Sequence, residues 1–453
     1  MKTPPIVLKF GGTSVGDAAA IARAARIVVS TENPVVVLSA AAGVTDRLVT
    51  LARRAARGRD AEIVEELVER HVALARELGV DPAEIAEPLA ELRDCARGIA
   101  LLVEDSPHAR DRLLACGELL MAPLFAAYLR TLGHPAVGCS SAKLGLLTDD
   151  RHGRARPQPE CFERLAASMA EQKLGCGEAI AVITGFIGTT ADGRITTLGR
   201  GGSDYSASLV ARAIGARELQ IWTDVDGIHT ADPRLVPDAP RIDHLTFREA
   251  SELAFSGAKV LHPQTLTPAM EHGIPVAVRD TRHPELPGTS ITAELPAGAV
   301  ASRVRAIAHR TGVRVLTVLS PRMLARHGFL SRIAAEFDRH SLSIDMISTS
   351  EVSISLTPDD PDADLGPIIA DLEGFAEVQV VEGRAMVSVV GDRLDRDGSV
   401  VAEVLAGVAA LGAPVQMISY GATRTNLAFL VPEDRVVDVV RALHQLFFAP
   451  ATP

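Results

Sequence analysis

The stretch that decides the fold is IVLKFGGTSV, residues 6–15. An apolar run typical of a buried strand carries Lys9 near its end and then breaks into Gly11 and Gly12. The backbone N–H groups of a glycine loop that leads into a helix can approach an anion, and a neighbouring lysine adds positive charge. The sequence therefore predicts an anion site here, although this stretch alone fits a structural glycine turn equally well. It is not a P-loop, because Asp17 follows Gly16 where that motif has lysine.

Similar apolar runs recur along the first two thirds of the chain and alternate with longer helical patterns. They are PVVVLSA (34–40), AIAVITGF (179–186), ELQIWTDV (218–225) and IPVAVRD (274–280). None shows a clean polar alternation, which is typical of strands buried on both faces of a parallel sheet. The pattern predicts an α/β domain over residues 1–296, with helices on both faces of a mostly parallel sheet. Residues from about 54 to 110 lack strand patterns and are predicted to be a helical insertion.

Beyond residue 297 the sequence contains an internal repeat. The stretch that begins at Gly328, GFLSRIAAEFDRHSLSIDMISTS, is similar to the one that begins at Gly398, GSVVAEVLAGVAALGAPVQMISYG. With their flanking strands, both copies are predicted to be ferredoxin-like βαββαβ units, over residues 297–381 and 382–453. Paired units after a catalytic-looking domain indicate a sensor, and a pure oligomerisation platform is the alternative.

Composition excludes several classes of function. The 453 residues carry a formal net charge of −11, which argues against a general surface for nucleic acid or anionic membrane. The five cysteines are scattered and form no zinc or redox motif, so we expect reduced thiols and a cytoplasmic protein. No signal peptide and no apolar run long enough to span a bilayer is predicted.

Three further loops have the same glycine-rich and charged character. The first, TTLGRGGSDYSA (196–207), sets Arg200 among glycines and places Asp204 where a helix begins, so Asp204 could also be a simple N-cap. The second, IWTDVDGIHTADPR (221–234), carries Thr223 and Asp224 at a strand end, and the third, FSGAKVLHP (255–263), carries Lys259. Phosphoryl transfer requires cations and N–H donors around the phosphates, with Mg²⁺ bridging their oxygens. The residues therefore predict a kinase that has no P-loop.

These motifs also resemble those of the aspartokinase family. KFGGTSV, VVVLSAAAGVTD, GELL, TGFIG, TTLGRGGSDY, WTDVDGI and GAKVLHP occur in the family's order, and the repeats resemble its tandem ACT domains. The similarity extends from about residue 6 to 448. It implies an amino-acid-kinase (carbamate-kinase-like) three-layer αβα domain followed by two ACT domains. It also implies phosphorylation of the side-chain carboxylate of L-aspartate by ATP, with Mg²⁺ held mainly by the nucleotide's phosphates. Since no dehydrogenase-like segment follows, the resemblance is to the monofunctional forms.

The resemblance also implies a role for individual residues. Lys9, Asp204 and Lys259 would be catalytic, with Lys9 stabilising the transferred phosphoryl group. The remaining implied contacts are Gly11, Gly12, Thr223, Asp224, His229, Arg234 and Lys259 with ATP, and Ser39, Thr45, Glu118, Arg200, Ser203 and Asp204 with L-aspartate. Gly11 and Gly12 would donate their backbone N–H groups, Arg200 would hold the α-carboxylate and Glu118 the ammonium group. His229 departs from the family's common tyrosine, and Met121 from a common serine.

The first repeat resembles the effector unit of lysine-inhibited aspartokinases. The implied effector contacts are Met323, Gly328, Leu330, Ser343, Asp345 and Glu351. Asp345 and Glu351 suit a ligand with two ammonium groups, although exposed acids at strand ends are the alternative. Arg326 replaces a small polar residue of the lysine-sensitive pattern, so threonine stays open as an effector. A homodimer or larger homo-oligomer through the ACT domains is expected. The alternatives to this enzyme are an amino-acid kinase with another substrate and a catalytically silent sensor.

Overall fold

The computed structural model describes residues 3–58, 61–257, 263–298, 302–320, 327–392, 394, 399–421 and 424–449. The chain forms two compact units. Unit 1 comprises Met1–Ile228, Asp243–Phe247 and Val260–Pro296, and unit 2 comprises His229–Ile242, Arg248–Lys259 and Ala297–Pro453. Two stretches that precede residue 297 therefore group with unit 2. The domain bounds drawn from the sequence stay predictions.

Unit 1 contains an eight-stranded sheet and a separate two-stranded hairpin. The strands are β1 Ile6–Phe10, β2 Pro34–Leu38, β3 Ala136–Cys139, β4 Ile180–Thr184, β5 Ile187–Thr189, β6 Ile195–Thr197, β7 Glu218–Thr223, β8 His244–Thr246, β9 Val276–Asp280 and β10 Thr289–Thr292. Strands β5 and β6 form the hairpin, and the sheet has the order β3-β4-β2-β1-β7-β9-β10-β8. All its pairs are parallel except β9 with β10. The predicted mostly parallel α/β fold is confirmed.

Nine helices are described between residues 18 and 271. They are α1 Ala18–Ser30, α2 Val44–Ala55, α3 Ala61–Glu77, α4 Ala86–Leu102, α5 Pro107–Thr131, α6 Cys161–Glu171, α7 Gly202–Ala213, α8 Phe247–Phe255 and α9 Pro263–Glu271. Among them, α3 and α4 fill the strand-free stretch after residue 54, joined by a short 3₁₀ turn at Pro82–Ile85. Helix α8 runs from the end of one unit 1 segment into a segment of unit 2.

Helix α5 is the central helix of the unit 1 core. It begins where Ser106 accepts a hydrogen bond from the N–H of Ala109 at 3.4 Å, with Pro107 in the first turn. Length and composition alone would let this helix cross a membrane, but most of it is buried inside the unit. Its buried face also carries two acids, Asp111 and Glu118. Because an unpaired buried charge is costly, both acids need partners.

Unit 2 contains a six-stranded antiparallel sheet with four further helices. The elements are β11 Ala306–Leu319, α10 Phe329–Arg339, β12 Ile344–Thr349, β13 Ser353–Pro358, α11 Gly366–Glu373, β14 Glu377–Val390, α12 Ser399–Ala410, β15 Gln416–Tyr420, β16 Asn426–Pro432 and α13 Val436–Phe448. The strand order is β12-β13-β11-β14-β16-β15. Two ferredoxin-like halves share this sheet, as the internal repeat predicts.

The two halves differ in how the chain supplies their strands. The first half is one continuous βαββαβ unit. It consists of residues 313–319 of β11, then α10, β12, β13, α11 and residues 377–384 of β14. In the second half, which consists of β14, α12, β15, β16 and α13, no fourth strand follows within the described residues. Residues 306–310 of β11 take that place and pair with residues 386–390 of β14. A shift in register separates the two parts of β11, between Arg310 and Val313. The second repeat is therefore completed by a strand that precedes the first.

Candidate active site

The candidate site lies where four neighbouring strands of unit 1 end. Strands β4, β2, β1 and β7 are adjacent and parallel, so their carboxyl ends lie at the same edge of the sheet. The loops that follow them carry the glycine-rich and polar motifs of the sequence. Ligands of open α/β sheets bind at this edge. The fold therefore brings the predicted strand-end loops of unit 1 together.

Lys9 and Asp204 form an ion pair at this edge. The Lys9 Nζ lies 2.6 Å from the Asp204 Oδ1, and the two side chains are only 9% and 15% exposed. Lys9 comes from β1, whereas Asp204 lies in the first turn of α7. A pair this shielded from water keeps much of its electrostatic strength. Two residues predicted from separate motifs thus meet in one place.

The glycine loop after β1 packs closely against its neighbours. A Cβ atom on Gly12 would lie 2.9 Å from the carbonyl oxygen of Ala40, so no larger residue fits without a shift. The N–H of Gly11 donates to the carbonyl oxygen of Trp222 at 3.1 Å. This finding corrects one expectation, since the Gly11 N–H is already used inside the protein and is not aimed at a phosphate. The glycine here allows close packing beside Lys9, whose Nζ would lie 3.4 Å from an added Cβ.

Glu118 is a buried carboxyl group with one unused oxygen. Its Oε1 accepts a hydrogen bond from the N–H of Ala40 at 3.0 Å, whereas its buried Oε2 has no hydrogen-bond partner among the described residues. Burial raises the pKa of Glu118 to about 8, although the Ala40 N–H and the charge of Lys9 act in the opposite direction. The loop that begins at Ser39 follows β2, passes beside this group at Ala40 and leads into α2, whose first turn contains Thr45. The arrangement suits a cationic ligand group that would supply the missing donor.

Arg200 lies on the glycine-rich loop before α7. Gly199 and Gly201 have φ angles of +77° and +70°, a region that favours glycine. Arg200 is exposed, and it forms no ion pair or hydrogen bond with any residue that the structure describes. Ser203 packs so closely on the loop after β4 that a Cβ on Gly185 would lie 2.6 Å from its Cβ.

The end of β7 and the loop after it hold the last two predicted residues of unit 1, Thr223 and Asp224. Thr223 Oγ1 donates to Asp224 Oδ1 at 3.2 Å, and the Asp224 carboxylate is exposed. Arg282 lies 3.9 Å from that carboxylate and donates to the Asp224 carbonyl at 3.1 Å. Because β7 pairs directly with β1, Thr223 stands at the same sheet edge as Lys9.

Other predicted ATP contacts are not placed beside Lys9 by the structure. His229 and Arg234 belong to unit 2, where His229 Nδ1 lies 2.8 Å from the Ala239 carbonyl oxygen. Arg234 forms a two-pronged pair with Asp232, with its Nη2 2.6 Å from Asp232 Oδ2. Lys259 lies outside the described residues. The roles of these residues stay predictions.

The predicted effector residues lie in the first ferredoxin-like half of unit 2, apart from Met323, which like Arg326 is outside the described residues. Gly328 caps α10 with a φ of +88°, and Leu330, Ser343 and Glu351 are exposed. Asp345 is different, because its side chain is almost fully buried and paired with Arg310. Burial raises the pKa of Asp345, and the Arg310 charge opposes that shift. The alternative of an exposed acid is therefore wrong for Asp345.

Sequence reasoning missed two polar contacts and one strained residue. Asp111 and Arg310 are paired with distant parts of the chain, so no local pattern reveals them. Phe186, within the quoted TGFIG motif, has a φ of +67°, its N–H donates to Ser206 Oγ at 2.9 Å, and its carbonyl accepts from Leu198 at 3.0 Å. The available signal for this turn was an aromatic residue directly after Gly185 in a stretch that reaches Gly188.

The geometry suits chemistry between two anions. A shielded lysine on β1, a loop arginine with no partner among the described residues, and a carboxyl group on α5 that can take a cation lie at or near one sheet edge. Positioning and charge neutralisation are the main contributions of a protein to phosphoryl transfer. An acceptor that is already an anion needs no general base, so the site requires no histidine.

Comparison with known proteins agrees with this chemistry. The model of the amino acid kinase family matches residues 4–280, and an ACT domain model matches residues 387–447. The chain is 39% identical to lysine-sensitive aspartokinase 3 of Escherichia coli K12 over 98% of this chain and 99% of that protein. It is 37% identical to the chloroplastic aspartokinase 3 of Arabidopsis thaliana over 98% of this chain and 82% of the relative.

Solved structures give the same result. The structure of E. coli aspartokinase III in complex with aspartate and ADP, in the R-state, has a TM-score of 0.87 at 39% identity and covers 98% of this chain and 99% of that one. The structure of the same enzyme with lysine and aspartate, in the T-state, has a TM-score of 0.79 at 38% identity, with coverages of 98% and 100%. The chain therefore belongs to the amino acid kinase family and, within it, to the aspartokinases.

Proposed function

We propose that this chain transfers the γ-phosphoryl group of ATP to the side-chain carboxylate of L-aspartate and forms 4-phospho-L-aspartate. This is the first step of lysine, threonine and methionine biosynthesis. The observation that carries the proposal is the shielded Lys9–Asp204 pair at the carboxyl end of β1. The E. coli relative that binds aspartate and ADP supports the same substrates for this chain.

The lysine acts on the charge of the transferred group. Both reactants are anions, so their approach is opposed by repulsion that a positive charge can relieve. Asp204 holds Lys9 in place by an ion pair that is shielded from water. Mg²⁺, held mainly by the phosphates of ATP, would supply further neutralisation. We place Gly12, Thr223, Asp224, His229, Arg234 and Lys259 on the nucleotide side.

The substrate's other two charged groups have candidate partners in unit 1. Arg200, exposed and unpaired among the described residues, would bind the α-carboxylate through its two parallel N–H donors. The unused Oε2 of Glu118 would accept from the α-ammonium group, with Ser39, Thr45 and Ser203 beside them. Since the pKa of Glu118 is raised to about 8, ammonium binding favours its ionised form and releases a proton near neutral pH.

Regulation is proposed for unit 2. L-Lysine would bind the first ACT half through Gly328, Leu330, Ser343, Asp345 and Glu351, and shift the kinase towards a less active state. An effector shifts such an equilibrium only by its difference in affinity for the two states. The similarity to a lysine-sensitive relative supports this effector. We further propose a cytoplasmic homo-oligomer assembled through the ACT halves.

One assay tests the activity and its control together. Purified protein is incubated with Mg-ATP and L-aspartate, and hydroxylamine traps the acyl phosphate as a hydroxamate, with and without L-lysine. Hydroxamate that falls on adding lysine supports both proposals, and Glu351→Ala should weaken the fall. Product that does not respond to lysine keeps the kinase and directs attention to threonine. An absence of product in folded protein would overturn the kinase and favour a catalytically silent sensor.

A further inference from the structure

Asp111 is a buried acid on α5 that the proposed chemistry does not use. Its side chain is 2% exposed, yet its two oxygens lie within hydrogen-bond distance of four groups. Oδ1 accepts from Thr197 Oγ1 at 2.7 Å. Oδ2 accepts from the N–H groups of Thr197 and Gly153 at 3.0 Å each, and His152 Nδ1 lies 2.9 Å away. Such a set of partners offsets the cost of burying the carboxyl group.

These partners belong to two separate segments of the chain. Thr197 ends β6 and leads directly into the glycine-rich loop with Arg200, whereas His152 and Gly153 lie in the loop before α6. The two segments also contact one another, since the N–H of Ala155 donates to the Thr197 carbonyl at 2.9 Å. One carboxyl group therefore fastens both segments to the central helix.

The same contacts fix the start of the Arg200 loop. A Cβ on Gly199 would lie 2.9 Å from the Gly153 carbonyl oxygen, so the loop rests on the segment that Asp111 holds. On the other side, the N–H of Gly202 donates to the Gly199 carbonyl at 3.0 Å and α7 begins. Arg200 itself has no partner among the described residues. Within the part of the chain that the structure describes, the position of its guanidinium is therefore set by the backbone on either side.

Helix α5 also connects Asp111 to Glu118, the group that would bind the substrate's α-ammonium. Asp111 and Glu118 are seven residues apart, which is about two helical turns and roughly 10 Å along the axis. Both lie on the buried face of the same rigid helix. The helix thus sets the distance between the group that would take the ammonium and the segment that carries Arg200.

We propose that Asp111 is a positioning residue for the substrate α-carboxylate, because it holds the loop that presents Arg200. This inference rests on the proposed function. Its loss should act on the KM for aspartate and much less on the KM for ATP, since the nucleotide would contact other loops. A displacement of the order of 1 Å at a binding group is enough for a large kinetic effect.

The test compares Asp111→Ala with Asp111→Asn and with Asp105→Ala. Asp105 pairs with Arg110 at the start of the same helix but contacts neither loop, so it is the matched control. We expect Asp111→Ala to raise the KM for aspartate about tenfold or more, with the KM for ATP within about twofold. The amide oxygen of Asp111→Asn can still accept from the backbone N–H groups, so it should restore most of the aspartate affinity. Equal KM changes for both substrates, or no rescue by asparagine, would overturn the inference.

Two further arms keep the outcome decisive. If Asp111→Ala does not fold, Thr197→Val removes one of the four contacts and should raise the KM for aspartate alone. Hydrogen exchange of the amides of residues 197–202 requires no turnover and should be about tenfold faster in Asp111→Ala, or in Thr197→Val if Asp111→Ala does not fold, than in Asp105→Ala and Asp111→Asn. Unchanged exchange would overturn the inference even if wild type proved inactive. An inactive wild type with faster exchange in the variant would instead contradict the proposed function alone.

Discussion

The carboxyl group of Glu118 should make unit 1 less stable as the pH rises, and Glu118→Gln should remove this effect. Burial raises the pKa of Glu118 from an ordinary 4.5 to about 8. Between these two values the unfolded chain has lost the proton while the folded protein keeps it. The folded state then binds more protons, so the free energy of unfolding falls as the pH rises from about 4.5 to about 8 and is constant above that range.

The expected size follows from the shift. Each unit of pKa difference corresponds to about 1.4 kcal/mol. Between pH 5 and pH 8 the wild-type carboxyl group should therefore cost unit 1 about 3 kcal/mol of unfolding free energy. A glutamine has no proton to lose, and the other titrating groups are common to both proteins. The stability of Glu118→Gln relative to wild type should thus increase by about 3 kcal/mol over this range.

The chain offers a specific probe for the measurement. Trp222 is its one tryptophan, and it is buried in unit 1 with its ring 6.3 Å from that of Phe10. Urea unfolding followed by its fluorescence at pH 5 and pH 8 reports unit 1. Glu65→Gln, at an exposed carboxylate, is the matched control. A difference between Glu118→Gln and wild type that stays constant within about 1 kcal/mol would refute the reasoning. The stabilised variant should also bind aspartate more weakly, because it loses the acceptor for the ammonium group.

Three shorter predictions concern other contacts. Lys9→Ala should lower hydroxamate formation by about 10³-fold, because the transferred group then loses the neutralising charge of the lysine, while circular dichroism stays native; near-normal turnover would mean that the lysine is structural. Gly185→Ala should cost unit 1 about 1–3 kcal/mol in the same fluorescence assay, because its Cβ would lie 2.6 Å from the Ser203 Cβ, and unchanged stability would contradict the close packing. Arg310→Met should lower the thermal midpoint of unit 2 by leaving Asp345 unpaired. Lysine should restore more of that midpoint than it adds to wild type, and an equal shift would argue against Asp345 as an effector contact.

The meeting of candidate residues at one edge of unit 1 was predictable because of the parallel sheet. Apolar runs without alternation indicate buried parallel strands, and the residues just after them must meet at one edge. Lys9 and Asp204 are the clearest case, since they are 195 positions apart in sequence and yet form one ion pair. A lysine or an aspartate alone does not predict a site. The prediction rested on their positions, Lys9 near the end of a strand and Asp204 at the start of a helix.

What the sequence did not reveal depends on pairing between distant segments. The N–H of Gly11 is used by Trp222 on the neighbouring strand, and no local feature of the glycine loop shows that. Asp345 pairs with Arg310, which lies at an irregularity of β11 that an alternation pattern does not locate. In the sequence Asp111 is an ordinary acidic residue of a helix. Only the structure shows that Thr197, 86 residues later, donates two hydrogen bonds to it.

Residues 306–310 of β11 complete the second repeat of unit 2 although they precede the first, and this order affects how the protein is synthesised and how its gene can recombine. Residues 306–310 leave the ribosome before the whole first ACT half, yet their partners in β14 are residues 386–390. Residues 306–310 therefore cannot pair until about 75 further residues have been synthesised, and such long-range pairing slows folding. A gene fragment that starts at residue 385 encodes a second half without its fourth strand, and one that ends at residue 384 leaves residues 306–310 without a partner strand. The two halves can therefore be exchanged or inherited intact only as a single block.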